Sequence, residues 1–100
     1  MNVDGLTVRA DGAVDVSGVL SFETVPVFLG GETNWLDTGG GPLTVDLKAV
    51  SRADSAGLAL MLEWLRRTRA AGRELHFVNV PEQVRHLIEV SGLTEVFVLK

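Results

Sequence analysis

The sequence contains no cysteine. This excludes disulfides, thiolate metal sites and a cysteine nucleophile, and it fits a reducing compartment. Histidine is scarce. His76 lies between Leu75 and Phe77 in an apolar strand pattern and His86 lies in a helical one. Neither stands at a carboxylate–histidine spacing that resembles a metal-ligand set, so both are read as structural or surface residues. Positive charge is the minority sign: 9 Lys and Arg stand against 13 Asp and Glu, a formal net charge of -4. A weakly acidic domain lacks the basic footprint of sequence-independent nucleic-acid binding. Long apolar runs are missing too. The longest, Leu58-Ala59-Leu60-Met61-Leu62, is far short of a membrane span. Met1-Asn2-Val3-Asp4-Gly5 has neither a cationic nor an apolar region of the secretory kind. The expected location is therefore the cytoplasm, with any membrane association supplied by a partner.

Catalytic signatures are absent as well. There is no phosphate-binding G-x-x-x-x-G-K-[ST], and Gly39-Gly40-Gly41 runs into Pro42 and a strand pattern, which marks a connector. No G-x-S-x-G elbow occurs. The reading is a protein that is not an enzyme and uses no cofactor.

What remains is ordinary globular material. Its 100 residues suit one domain spanning 1–100, and 46% hydrophobic against 22% charged content is far from the disordered range. Leu6–Ala10 and Val14–Gly18 alternate around Asp11-Gly12, which predicts a hairpin with a two-residue turn. Leu20–Leu36 predicts an irregular or broken helix, with Thr24 as a candidate cap, Pro26 in the first turn and Gly30-Gly31 as an interruption. Leu43–Leu47 predicts a strand and Ser51–Ser55 a connecting loop. Ala56–Ala71 predicts a helix, with Glu63 and Arg67 at i,i+4 and Gly72 as its stop. Glu74–Val80 predicts a strand, and Pro81 opens a helix whose inward face is Val84, Leu87, Ile88 and Ser91. Val96–Leu99 predicts a last short strand. The order β-β-α-β-α-β-α-β implies an α/β fold: a mostly parallel mixed sheet of about five strands, with helices mainly on one face.

Two features of the Ala56–Ala71 helix point beyond packing. Asp54-Ser55 stands at its N-terminus, where either side chain can accept a hydrogen bond from free backbone N–H groups. A serine there is also an accessible modification site, whose phosphate would meet the helix dipole and the Asp54 charge. On the helix itself, Leu58, Met61, Leu62 and Leu65 form a core stripe, and Leu60 and Trp64 widen it to an arc of roughly 200° at about 100° per residue. Either these two tuck under a neighbouring element, or they stay exposed and dock a partner, with Arg67 beside them.

Leu43-Thr44-Val45-Asp46-Leu47, then Asp54-Ser55-Ala56-Gly57-Leu58, an apolar helix, Gly72, Asn79-Val80-Pro81 and Ser91-Gly92-Leu93 together resemble a STAS domain (sulfate transporter and anti-sigma factor antagonist). Ala56, Ala59, Leu62–Arg67 and Phe22–Pro26 look most like the MlaB-type subunit of a phospholipid-transport ABC system. That resemblance implies a non-catalytic subunit that binds and supports the transporter's ATPase at the inner membrane and helps maintain outer-membrane lipid asymmetry. Its contact would comprise Asp54, Ser55, Ala56, Leu60, Trp64 and Arg67. The alternative implied by the family is an anti-sigma factor antagonist, whose partner kinase phosphorylates the serine after the aspartate, here Ser55. Ala56 in place of a second serine and the Gly30-Gly31 interruption depart from the antagonist pattern.

Overall fold

A computed structural model describes residues 2–3, 5–30, 34–36 and 41–100. Its elements are β1 (Asn2–Val3), β2 (Leu6–Val8), β3 (Val14–Leu20), α1 (Val25–Gly30), a 3-10 turn (Asn34–Leu36), β4 (Leu43–Ala53), α2 (Ser55–Ala70), β5 (Leu75–Val78), α3 (Glu82–Val90) and β6 (Val98–Leu99). The strands lie side by side in chain order, β1-β2-β3-β4-β5-β6. The β1–β2 and β2–β3 pairs are antiparallel, and the β3–β4, β4–β5 and β5–β6 pairs are parallel. The α/β expectation holds, with the short β1 as an addition.

The hairpin turn differs from its expected form. The Arg9 N–H donates to the Ala13 carbonyl and the Gly12 N–H to the Arg9 carbonyl, with Gly12 at φ 90°. The loop is therefore Ala10-Asp11-Gly12, a three-residue connection that ends on a glycine in the left-handed region. The Asp11 carboxylate accepts from the Ala13 N–H at 3.0 Å and completes it.

β4 is the element that sequence periodicity truncated. The stretch expected to be the Ser51–Ser55 loop is strand as far as Ala53. The reason lies in the register. Asp15 pairs with Asp46, Ser17 with Ala49, Gly18 with Val50 and Val19 with Arg52, so β4 gains an extra residue at two points. Each bulge turns the following side chains to the other face. Leu43, Val45 and Leu47 are buried, then Val50, then Ala53, and no single period-two pattern joins them.

All three helices and the 3-10 turn sit on one face of the sheet. α2 packs on β3, β4 and β5, and α1, α3 and the 3-10 turn pack on α2. This accounts for the breadth of the apolar arc on α2. Leu58, Met61 and Leu65 are buried as expected, Leu62 is half-buried, and Leu60 and Trp64 are also core. Trp64 meets Phe28 of α1 and Trp35 of the 3-10 turn edge-on, with ring centroids 6.3 and 5.5 Å apart. The broken first helix thus forms as two short pieces that together roof α2; Gly31 and most of the glycine connector lie outside the described residues. On α3, Val84 and Ile88 are buried and Leu87 is half-buried. Ser91, expected on the inward face, is the exposed C-terminal cap.

Candidate functional site

The sequence step from Ala53 to Gly57 makes a sharp passage from β4 into α2. The Gln83 side-chain amide locks the strand end from α3: its Oε1 accepts from the Ala53 N–H and its Nε2 donates to the Ala53 carbonyl, both at 2.8 Å. Asp54 follows in extended backbone (φ -107°, ψ -168°) as the N-cap of α2. Its N–H donates to the Leu20 carbonyl and its carbonyl accepts from the Leu58 N–H, each at 3.0 Å. Gly57 then lies flat against the end of β3. A Cβ there would stand 2.4 Å from the Leu20 carbonyl oxygen and 2.7 Å from the Leu20 Cβ, so glycine is required by the close approach.

The Asp54 carboxylate joins two elements. Oδ1 accepts from the N–H groups of Ala56 (2.8 Å) and Gly57 (3.2 Å), and Oδ2 accepts from the Phe22 N–H (3.2 Å) in the turn between β3 and α1. Desolvation opposes its ionisation, but the Gly57, Phe22 and Ala56 amides and the nearby Arg52 charge outweigh this and hold its carboxyl below the usual carboxylate range. Because these oxygens are engaged by backbone donors, Asp54 is not set to deprotonate the Ser55 hydroxyl. Ser55 is the first residue of α2 and is exposed. Beside it, Val19, Ser21, Phe22, Glu23, Thr24, Arg52 and Asp54 line an open cavity of about 500 Å³.

The turn that shapes this cavity is self-supporting. The Ser21 N–H donates to Thr24 Oγ1 at 2.9 Å, the Thr24 N–H donates to the Ser21 carbonyl at 3.0 Å, and the Thr24 hydroxyl donates back to the Val19 carbonyl. Phe22 stands out from it, 81% exposed, and Val27 and Leu29 of α1 are also exposed. Neither Phe22 nor Arg52 was expected as a site residue. The available signal was Phe22 itself, a large apolar residue in a Ser-Phe-Glu-Thr turn.

Of the residues expected to form a docking surface, the fold brings Asp54, Ser55 and Ala56 together. Leu60 and Trp64 are corrected: each is only 1% exposed, Trp64 lying beneath Phe28 of α1 and Trp35 of the 3-10 turn, so neither side chain reaches a partner. Arg67 lies three turns from Ser55, about 18 Å along the helix. It pairs with Glu63 at 2.7 Å, as the i,i+4 spacing predicts. Among the described residues there is no group of three or more His, Cys, Asp or Glu side chains able to hold a metal ion, and no helix is long and apolar enough to cross a membrane.

A family model described as Mlab, STAS domain matches residues 6–100. The chain belongs to the STAS family. Among curated STAS relatives, the anti-sigma-B factor antagonist of Staphylococcus aureus (strain NCTC 8325 / PS 47) is 30% identical over 95 residues, which is 95% of this chain and 88% of the relative. The protein of that name from strain COL matches equally. Two solved structures share the fold. A Thermotoga maritima protein described as a candidate anti-sigma factor antagonist superposes with a TM-score of 0.72 at 19% identity, covering 94% of this chain and 82% of that one. The unphosphorylated anti-sigma factor antagonist SpoIIAA superposes with a TM-score of 0.57 at 17% identity, covering 95% and 84%. The STAS assignment and α/β fold expected from sequence therefore stand, while the curated relatives carry antagonist names rather than transporter names.

Proposed function

We propose that this STAS protein is a non-catalytic, cytoplasmic antagonist of an anti-sigma factor, switched by phosphorylation of Ser55. The observation that carries the reading is the placement of Ser55: an exposed hydroxyl on the first turn of α2, flanked by Asp54 and by the open cavity under Phe22. The antagonist names of the relatives that align over 95% of the chain support it. Asp54, Ser55 and Ala56, with Phe22 and Arg52, form the contact with a partner kinase. In the switching step the kinase transfers the γ-phosphoryl group of ATP to Ser55 Oγ; a new O–P bond forms, ADP leaves and the serine proton is released. The added charge sits beside the Asp54 carboxylate and disfavours the contact that the free hydroxyl permits.

The test is reconstitution with the anti-sigma kinase encoded in the same genome. Binding by unmodified protein, transfer of phosphate from ATP to wild type but not to Ser55→Ala, and loss of binding in Ser55→Glu are the expected results. Absence of binding by the unmodified protein removes the reading.

A second reading keeps the same surface but changes its partner to the ATPase subunit of a phospholipid-transport ABC complex. It is favoured by the Mlab description of the matching family model and by Ala56 directly after Ser55. Co-purification with such an ATPase, and not with an anti-sigma kinase, would replace the first reading by this one.

A further inference from the structure

We infer that Asp54 is a positioning residue that couples the state of Ser55 to the turn carrying Phe22. The inference rests on the reading that Ser55 is phosphorylated, and it adds a conformational consequence to the charge effect.

The geometry gives a disturbance at Ser55 a route to Phe22. The backbone of Asp54 is fixed on both sides, by its N–H on the Leu20 carbonyl and its carbonyl on the Leu58 N–H. The first turn of α2 cannot slide along β3, because Gly57 already touches Leu20. The Asp54 side chain is held by the nearby Arg52 charge and by hydrogen bonds that run in two directions: to Ala56 and Gly57 in α2, and to Phe22 across the junction.

A phosphate on Ser55 carries roughly -1.5 to -2 charges at neutral pH and strong acceptor oxygens. It stands next to Asp54 in the chain and competes for the same N–H groups at the start of α2. Repulsion and competition both act on the Asp54 carboxylate, and the bond to the Phe22 N–H is lost when that carboxylate rotates away. The Ser21–Thr24 turn keeps its internal bonds, so it pivots rather than unfolds. Phe22, 81% exposed, is re-aimed by that pivot. Phosphorylation then withdraws an apolar anchor from the contact in addition to placing charge in it.

The test uses the full chain with phosphoserine genetically encoded at position 55, in wild-type and Asp54→Asn backgrounds, read by amide hydrogen exchange and amide NMR shifts. Asparagine preserves the helix cap, since its Oδ1 still accepts from Ala56 and Gly57, but its amide group cannot accept from the Phe22 N–H. In wild type, phosphoserine is expected to speed exchange of the Phe22 amide by roughly tenfold, the loss of one hydrogen bond to a charged group. In Asp54→Asn the Phe22 amide is already fast while those of Ala56 and Gly57 stay protected, and phosphoserine adds no further acceleration. An unchanged Phe22 amide in phosphorylated wild type, or equal acceleration in both backgrounds, overturns the coupling. Partner binding, measured separately on the same samples, tests the switch itself: binding that phosphoserine leaves intact removes the switch whatever Phe22 does, and binding that it abolishes without a Phe22 response removes only the coupling.

Discussion

The side-chain amide of Asn79 donates to both carboxylate oxygens of Asp46, at 3.2 Å each, tying the residue after β5 to the middle of β4. Asn79 reaches this position from φ 53°, a left-handed backbone that asparagine tolerates better than most residues. Asp46 points away from the helices, opposite to Val45 and Leu47, yet it is only 6% exposed. The Lys48 N–H donates to it at 2.9 Å and the Arg9 guanidinium lies 3.8 Å away. Burial opposes its ionisation, but the Lys48 and Asn79 hydrogen bonds and the Lys48 and Arg9 charges together hold its carboxyl below the usual range.

Two substitutions at Asn79 separate the backbone effect from the hydrogen bonds. Asn79→Gly keeps the left-handed conformation and loses the amide; Asn79→Ala loses both. The alanine variant is expected to be less stable than the glycine variant by about 1 kcal/mol in urea unfolding. In both, Asp46 loses a hydrogen bond to its ionised form, so its pKa rises toward the ordinary value. The native pKa is depressed, so the stability linked to Asp46 is present above the unfolded carboxylate pKa and is lost as pH falls through the folded one. Carboxyl carbon shifts should therefore show a smaller depression in either variant, and an unmoved Asp46 titration would mean that Asn79 does not support the charge.

Glu63 gives a second acid-sensitive point. Hydrogen bonds from Arg66 and Arg67, at 2.7 to 2.9 Å, push its carboxyl down from 4.5 to about 2. The folded pKa is the lower one, so the contribution is complete above about 4.5 and disappears as pH falls toward about 2. Arg66 is 68% exposed, and solvent screening keeps the effect small. Glu63→Gln should lower the melting temperature slightly at neutral pH and leave it unchanged below pH ~2, as read by thermal unfolding at the two pH values.

Gly57→Ala is expected to destabilise the fold by about 1–3 kcal/mol, although alanine is the better helix former. The obstacle is backbone, the Leu20 carbonyl oxygen, and cannot swing aside. A shift in the urea midpoint without a change in slope would locate the effect in the native state. A neutral or stabilising result would show that the β3–α2 approach relaxes freely.

Trp64→Ala should remove about 3–5 kcal/mol by opening a cavity beneath Phe28 and Trp35. Trp64→Phe should retain much more of the stability, since the indole Nε1 is buried without a hydrogen-bond partner among the described residues. Any partner affinity lost in the alanine variant should track its unfolded fraction, measured by near-UV circular dichroism. A folded Trp64→Ala protein with weakened binding would restore Trp64 to the contact surface.

Much of this structure is legible in the residues. A cap at Asp54-Ser55, which the structure assigns to Asp54, the Glu63–Arg67 pair and the stop at Gly72 follow from local rules that act within a few residues. The extent of β4 does not, because its two bulges belong to the pairing with β3 and leave the strand without one alternating face. The fate of Leu60 and Trp64 depended on whether something covers them. For Trp64 that cover comes from Phe28 and Trp35, which lie before β4 in sequence and reach α2 only when the chain closes over it. The Phe22–Asp54 bond spans 32 residues and involves a backbone N–H, a donor that every non-proline residue carries, so no sequence pattern marks it.

The sequential strand order has a kinetic consequence. Asp54 and Phe22 meet only where the parallel β3–β4 pair has registered through to Leu20 and Ala53, its last residues. Parallel pairing across a crossover has a high loop-closure cost and is slow to nucleate, whereas the N-terminal hairpin closes quickly. The Ser55 surface should therefore be among the last parts of the chain to mature. A nascent or partly unfolded copy would carry the serine without its framed neighbours, and a partner that reads the whole constellation would engage only finished molecules.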